Sequence, residues 1–161
     1  MTTHPFPPLY NNESKILILG SFPSVKSREQ MFFYGHPQNR FWKVISTVLG
    51  VETPLSIEDK RNLLYSKHIA LWDVIASCDI VGSSDSSIKN AVANDFTDIL
   101  KAADIKQIFV NGKTAEKYYN KYVRNTMGRE SVCLPSTSPA NAAWSLDRLV
   151  SEWRILKKYC D

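Results

Sequence analysis

The chain has little cysteine and little histidine, and neither is spaced for chemistry of its own. Cys78, Cys133 and Cys160 are odd in number and far apart, with no Cys-x-x-Cys pair. That argues against a disulfide framework and predicts a reduced, cytoplasmic protein. The only histidines, His4, His36 and His68, are too scattered for metal-ligand spacing, so no metal and no cofactor is expected. The opening MTTHPFPPLYNNES lacks a basic-then-apolar leader. No apolar run approaches the ~20 residues that cross a bilayer, so no membrane partner is expected. Neither Gly-x-Gly-x-x-Gly nor a P-loop lysine occurs, which removes two common nucleotide-binding motifs.

What is present is the composition of an ordinary globular protein. The 161 residues are 43% hydrophobic and 22% charged, enough for one domain with a full core. The formal charge of +4 and pI near 8.9 permit a polyanionic partner without requiring one. Residues 1–13, rich in Pro and Asn, read as an arm lying on a single domain over 14–161.

KILILG at 15–20 has the unbroken apolar run of a strand buried on both faces. HIALWDVI (68–75), IKQIFVNG (105–112) and SVCLP (131–135) supply three more strands. Helical spacing predicts helices from Asn39 to Leu49, over 57–66, 94–103 and 113–123, and over a long stretch from Ala142 to Tyr159. DIVGSSDSS (79–87) reads as a polar loop. Buried strands alternating with helices predict a three-layer α/β/α fold on a four-stranded parallel sheet. Ligands of such sheets sit at the carboxyl ends of the strands. GSFPS (20–24), NGKT (111–114) and PSTSPAN (135–141) therefore share one rim, and FYGHPQNRFW (33–42) runs on from the first of them.

Each segment has a plain and a functional reading. GSFPS is either a simple turn or a run of backbone groups, Gly20, Ser21, Phe22 and Pro23, able to address a polar edge. Asn39 is either an N-cap or a carboxamide placed for a ligand, and His36 is either a satisfied loop histidine or a donor. Tyr34 next to Gly35 puts a ring where backbone must pass closely, which suits a flat heterocycle such as a nucleobase. Asn111, ending the third strand, either reaches a base edge or satisfies loop backbone. PSTSPAN is either a capped helix start or a phosphate-gripping tip. Asp73 and Asp85 are expected to be structural, since Asp73 is useful as a base only if it faces the cleft. Lys26, Arg28, Lys113, Arg124 and Arg129 are candidate phosphate contacts.

Taken together, GSFPS, FYGHPQNRFWKVI, ALWDVIASCDIVGSSDSSI and LPSTSPANA resemble the uracil-DNA glycosylase superfamily, in its hypoxanthine-DNA (DNA-deoxyinosine) glycosylase branch. The likeness extends over nearly the whole chain from Lys15. It implies an α/β/α domain that flips a damaged nucleotide and hydrolyses its N-glycosidic bond without metal, leaving an abasic site. GHPQNRFWKVI also resembles the mismatch-specific uracil/thymine enzymes, whose first motif carries a water-positioning Asn where this chain has Phe22. Leu134 or a neighbour stands where the principal uracil enzymes carry a His. These departures argue against efficient uracil or thymine excision.

The resemblance implies Asn39 as the catalytic carboxamide, orienting water or contacting the base. Phe22 and Tyr34 would sandwich the base, with Gly20, Ser21, Pro23, His36 and Asn111 around it. Ser136, Ser138, Pro139, Ala140 and Asn141 would meet the DNA. The expected partner is duplex DNA with a deaminated base, single strands being left open, and the expected state is a monomer. The alternatives are a G/U or G/T mismatch glycosylase, a non-catalytic lesion-binding module and a nucleotide binder.

Overall fold

The computed structural model describes residues 1–160; Asp161, the last position of the expected domain, lies outside the described residues. Strand β1 (Thr2–Thr3) opens the chain, followed by β2 (Ile16–Gly20), helix α1 (Val25–Gln30), α2 (Phe41–Leu49) and α3 (Ile57–Ser66). Next come β3 (Ile69–Asp73), β4 (Ile75–Asp79), β5 (Lys89–Ala93), α4 (Thr97–Ala102) and β6 (Gln107–Asn111). Helices α5 (Lys113–Tyr122) and α6 (Arg124–Met127), β7 (Ser131–Leu134), α7 (Leu146–Trp153) and α8 (Lys157–Cys160) complete it.

The main sheet has the order β3-β2-β6-β7, and every neighbouring pair is parallel. In β2 all five residues are buried, as a central strand covered on both faces demands. Its side chains alternate between two cores. Ile16 and Ile18 join Phe41, Trp42, Val48, Leu64, Leu149 and Trp153 on one face. Leu17 and Leu19 join Ile99, Ala115, Tyr118 and Tyr119 on the other. Helices α2, α3 and α7 thus cover one face and α4 and α5 the other, which is the expected three-layer fold.

Parallel register brings the carboxyl ends of the strands to one edge. Gly20 lies beside Asp73, and Asn111 beside Leu134. This edge carries the site.

Three sequence expectations change, and the loop expected at 79–87 holds apart from Asp79, which ends β4. The predicted strand over 68–75 ends at Asp73, because Val74 N–H turns to Gly20 O and Ile75 begins β4. The predicted loop at 79–87 lies between β4 and β5, an antiparallel pair with two irregularities that blur its alternation. The helix predicted from Asn94 begins at Thr97, because Asn94 bonds to the backbone of residues 73 and 74 and Asp95 accepts the Thr97 N–H. The long last helix starts at Leu146 under a Ser145 cap and breaks into a 3-10 turn at Arg154–Leu156. Residues 1–13 do lie on the domain, but as part of it: β1 pairs with β4, Leu9 bridges to Leu71, and Phe6 and Leu9 are buried.

Candidate active site

A cavity of about 1130 Å³ opens at the carboxyl edge of the sheet. Its walls include Gly20, Ser21, Phe22 and Pro23 after β2, then Tyr34, His36 and Asn39 before α2. Asn111 enters from β6, and Ser136, Ser138, Pro139, Ala140 and Asn141 from the loop after β7. Every residue given a catalytic, base-binding or DNA-loop role from the sequence therefore faces one space. A smaller hollow of about 330 Å³ at the amino ends of β6 and β7 is lined by the candidate cation Arg129 and by Glu130, and by none of those residues. No cluster of three or more metal-ligating side chains occurs among the described residues.

The floor of the cavity is a chain of hydrogen bonds centred on Thr137, which is completely buried. Its hydroxyl donates to Asn39 Oδ1 at 2.9 Å. Asn39 Oδ1 also accepts the Phe41 N–H at 2.9 Å, the local two-residue turn that an Asn side chain makes with its own backbone. A backbone N–H can only donate, so the carboxamide orientation is fixed. Its oxygen is committed to the protein, and its Nδ2 hydrogens have no partner among the described residues. Asn111 Oδ1 accepts the Thr137 N–H at 3.1 Å, while its Nδ2 donates to Thr137 Oγ1 and to Tyr34 Oη at 3.2 Å. The N-cap of α2 is Arg40, so Asn39 stands one residue before it and is not the cap: its oxygen closes a local turn onto the Phe41 N–H, and the residue lies in the cavity wall.

Tyr34 adopts φ 52°, a left-handed conformation that costs a bulky side chain energy and is kept only where the surroundings enforce it. Here the ring stacks on Phe41 with centroids 4.0 Å apart and planes at 14°. Burial, reinforced by the charge of Asp73, holds its phenol protonated well above the ordinary tyrosine range. The expected sandwich changes accordingly. One face of Tyr34 is already covered by Phe41, so only its other face is open to a ligand. Phe22 belongs to the opposite core, with the Arg28 guanidinium over its ring at 5.7 Å.

Gly20 is required by its neighbours. A Cβ there would overlap Asp73 Oδ1 and press on Tyr34 Oη at 3.2 Å. Asp73, expected to be structural, is buried yet lies in the cavity wall, with Oδ2 bonded to His4 Nε2 at 2.7 Å. At the rim, Asp85 accepts the Ser21 hydroxyl at 2.9 Å. The residue is largely exposed, but its carboxylate faces inward, and desolvation there, with the nearby Asp73 charge, raises its pKa. Cys133 also lines the cavity; burial and Glu116 push its thiol up to about 11, so it is not a thiolate.

Arg40 joins the two quoted stretches. Its guanidinium donates to the carbonyls of Ser138 (3.3 Å), Asn141 (3.1 Å) and Trp144, and its N–H to Thr137 O. Within the loop, Ser136 Oγ and Ser138 Oγ accept the N–H groups of Ser138 and Ala140, leaving both hydroxyl hydrogens to donate. Ala140 is exposed at the tip. At His36, Nδ1 accepts the Gln38 N–H at 3.1 Å, so the neutral ring carries its proton on Nε2. Of the candidate cations, Lys113 lines the cavity, whereas Lys26, Arg28, Arg124 and Arg129 do not.

Residues 7–158 match the uracil DNA glycosylase superfamily. The chain belongs to that superfamily. Two relatives, from Methanosarcina acetivorans and Methanosarcina barkeri, are each called "Hypoxanthine DNA glycosylase". The first is 34% identical over 156 residues, covering 96% of this chain and 97% of the relative. The second is 34% identical over 151 residues, covering 92% and 93%. A solution NMR structure of a candidate uracil DNA glycosylase from Methanosarcina acetivorans superimposes with a TM-score of 0.78 at 32% identity, covering 94% of this chain and 96% of that one. As a superfamily member the protein is a DNA repair glycosylase acting on deaminated bases, with DNA as its substrate.

Sequence reasoning assigned no role to Thr137, Arg40 or His4 in this glycosylase and left Asp73 as structural. Thr137 carried a signal, since it lies in the middle of PSTSPAN. His4 carried none, because its partner is 69 positions away.

Proposed function

We propose that this glycosylase releases hypoxanthine from deoxyinosine in duplex DNA by hydrolysis and leaves an abasic site, acting as a cytoplasmic monomer. The observation that carries this reading is the end-to-end similarity to relatives called hypoxanthine DNA glycosylases. The geometry of Asn39 supports it.

Glycosidic hydrolysis is mostly bond breaking, so the protein must stabilise the departing base and supply water. An extruded purine entering at the strand ends stacks on the open face of Tyr34. Asn39 Nδ2–H, free because Oδ1 is held by Phe41 and Thr137, donates to an acceptor of the purine as negative charge develops. Such a preorganised donor strengthens most in the transition state. His36 Nε2–H is a second donor at the wall. Backbone groups of residues 20–23 read the Watson–Crick edge. Ser136, Ser138 and the tip at Pro139, Ala140 and Asn141 hold the flanking phosphates and fill the gap left in the duplex. Extrusion costs a few kcal/mol and costs least at a poorly paired lesion.

Phe22 can neither hold nor polarise water, which weighs against the uracil/thymine reading. The test is release from labelled duplexes carrying hypoxanthine, G·U or G·T pairs with protein in excess. Free hypoxanthine and an alkali-labile strand are expected, with EDTA without effect and borohydride trapping no adduct. Release of uracil while hypoxanthine stays bound would overturn the assignment, and tight lesion binding with no release would make the protein a reader.

A further inference from the structure

We propose that Asp73 is the catalytic base of this hydrolysis, accepting a proton from the attacking water, and that His4 is its positioning residue. The proposal rests on the glycosylase activity but not on which base is released.

Asp73 ends β3 in register with Gly20, and its side chain is only 6% exposed. Its Oδ2 is taken by His4 Nε2 at 2.7 Å, and its main-chain carbonyl by Asn94 Nδ2 at 2.9 Å. Oδ1 has no hydrogen-bond partner among the described residues. It reaches over the bare Cα of Gly20 beside Tyr34 Oη and lies in the cavity wall. Among the described residues the enclosed side-chain polar atoms without a partner are His68 Nδ1 and Trp72 Nε1, so Asp73 Oδ1 is not sealed off but open to the cavity. At this place it is an acceptor available to whatever enters the cavity.

The surroundings keep that oxygen in use as a base. The Phe6 N–H points at His4 Nδ1 at 3.5 Å, which leaves Nε2 as the protonated nitrogen, donating to Asp73. The imidazole side chain is 3% exposed and is walled by Phe6, Phe22 and Trp72. Position 4 is itself anchored, because the His4 N–H donates to Ala76 O at 2.8 Å and β1 pairs with β4. The titratable groups facing Asp73 are His4, Tyr34 and Asp85. No lysine or arginine pairs with it among the described residues, so its charge remains available to a cationic sugar.

In the step, the water oxygen bonds to C1′ of the sugar while one of its hydrogens passes to Asp73 Oδ1. The bond from C1′ to the base nitrogen breaks, and its electron pair leaves with the base. The base departs as an anion hydrogen-bonded to Asn39 and is reprotonated, and Asp73 returns its proton to solvent. The negative carboxylate also favours the oxocarbenium character of the sugar.

The test uses single-turnover release of whichever base the lesion panel shows the wild type to remove, so failure here is distinct from failure of the hypoxanthine assignment. Asp73→Asn keeps the shape and still accepts from His4. It should slow release about 100-fold or more, with affinity for an uncleavable 2′-fluoro duplex unchanged within about threefold. Formate should restore turnover to Asp73→Ala and not to Asn39→Ala. His4→Ala keeps the carboxylate and adds no side chain beside Gly20. It should slow release about tenfold, and adding it to Asp73→Asn should cost nothing more, because it acts through the same group. Release by Asp73→Asn within about threefold of wild type, rate losses that multiply in the double variant, or duplex affinity falling in step with rate would each overturn the proposal.

Discussion

Thr137 donates its buried hydroxyl to Asn39 Oδ1 across 2.9 Å, although 98 positions separate the two residues. The bond joins the loop after β7 to the start of α2 and fixes which end of the Asn39 carboxamide faces the cavity. Thr137→Val keeps the volume and removes the hydroxyl. It leaves Asn39 and Asn111 each short of a partner, so a loss of about 1–3 kcal/mol in unfolding free energy is expected. Base release should fall further than stability alone explains, and Thr137→Ser should restore both. Urea melts and single-turnover rates measure the two effects.

Gly20→Ala places a methyl group on Asp73 Oδ1 and against Tyr34 Oη. Overpacking of this kind costs about 1–3 kcal/mol. Because the displaced atoms line the cavity, release should be lost even at temperatures where the variant is fully folded. Comparing its melting curve with its rate at low temperature checks this.

Arg40 holds the loop over 138–144 through three carbonyls. Arg40→Ala should weaken duplex binding about tenfold, on the order of 1.4 kcal/mol, while release from saturated complex changes less. Arg40→Lys should recover little, since a single ammonium cannot match the guanidinium fork. Anisotropy titrations with labelled duplex report the affinity.

Asp85 supplies a pH test. Desolvation, then the Asp73 charge, raises its pKa in the fold. The folded state therefore favours the protonated carboxyl, and that contribution is present in acid and lost as the pH rises through the elevated folded value. Asp85→Asn removes the dependence while leaving an acceptor for Ser21. It should melt above the wild type at pH 7, with the gap narrowing through the unfolded aspartate value and closing by pH about 3, where the carboxyl is protonated in both states. Melting temperatures across that range decide it.

What was legible in the sequence follows from where the causes lie. β2 and β6 were readable because a strand buried on both faces writes its environment as an unbroken apolar run. Asn39 and Asn111 were readable as carboxamides at element ends, which the strand order brings to one rim. β4 and β5 were not, because their pairing is irregular and the serine-rich connection masks it. The start of the last helix was misplaced because Arg40 and the Ser145 cap hold residues up to 145 in turns. The His4–Asp73 pair depends on β1 docking beside β4, a contact that no local pattern encodes.

In the proposed reaction Asn39 acts through the amide hydrogens left free when its oxygen is held by Phe41 and Thr137. Asn39→Asp keeps both of those bonds and replaces the free donor with an acceptor. Single-turnover release of hypoxanthine from a deoxyinosine duplex by this variant should fall at least 100-fold at pH 7, with melting temperature and duplex affinity close to wild type. Release at the wild-type rate would contradict the claim.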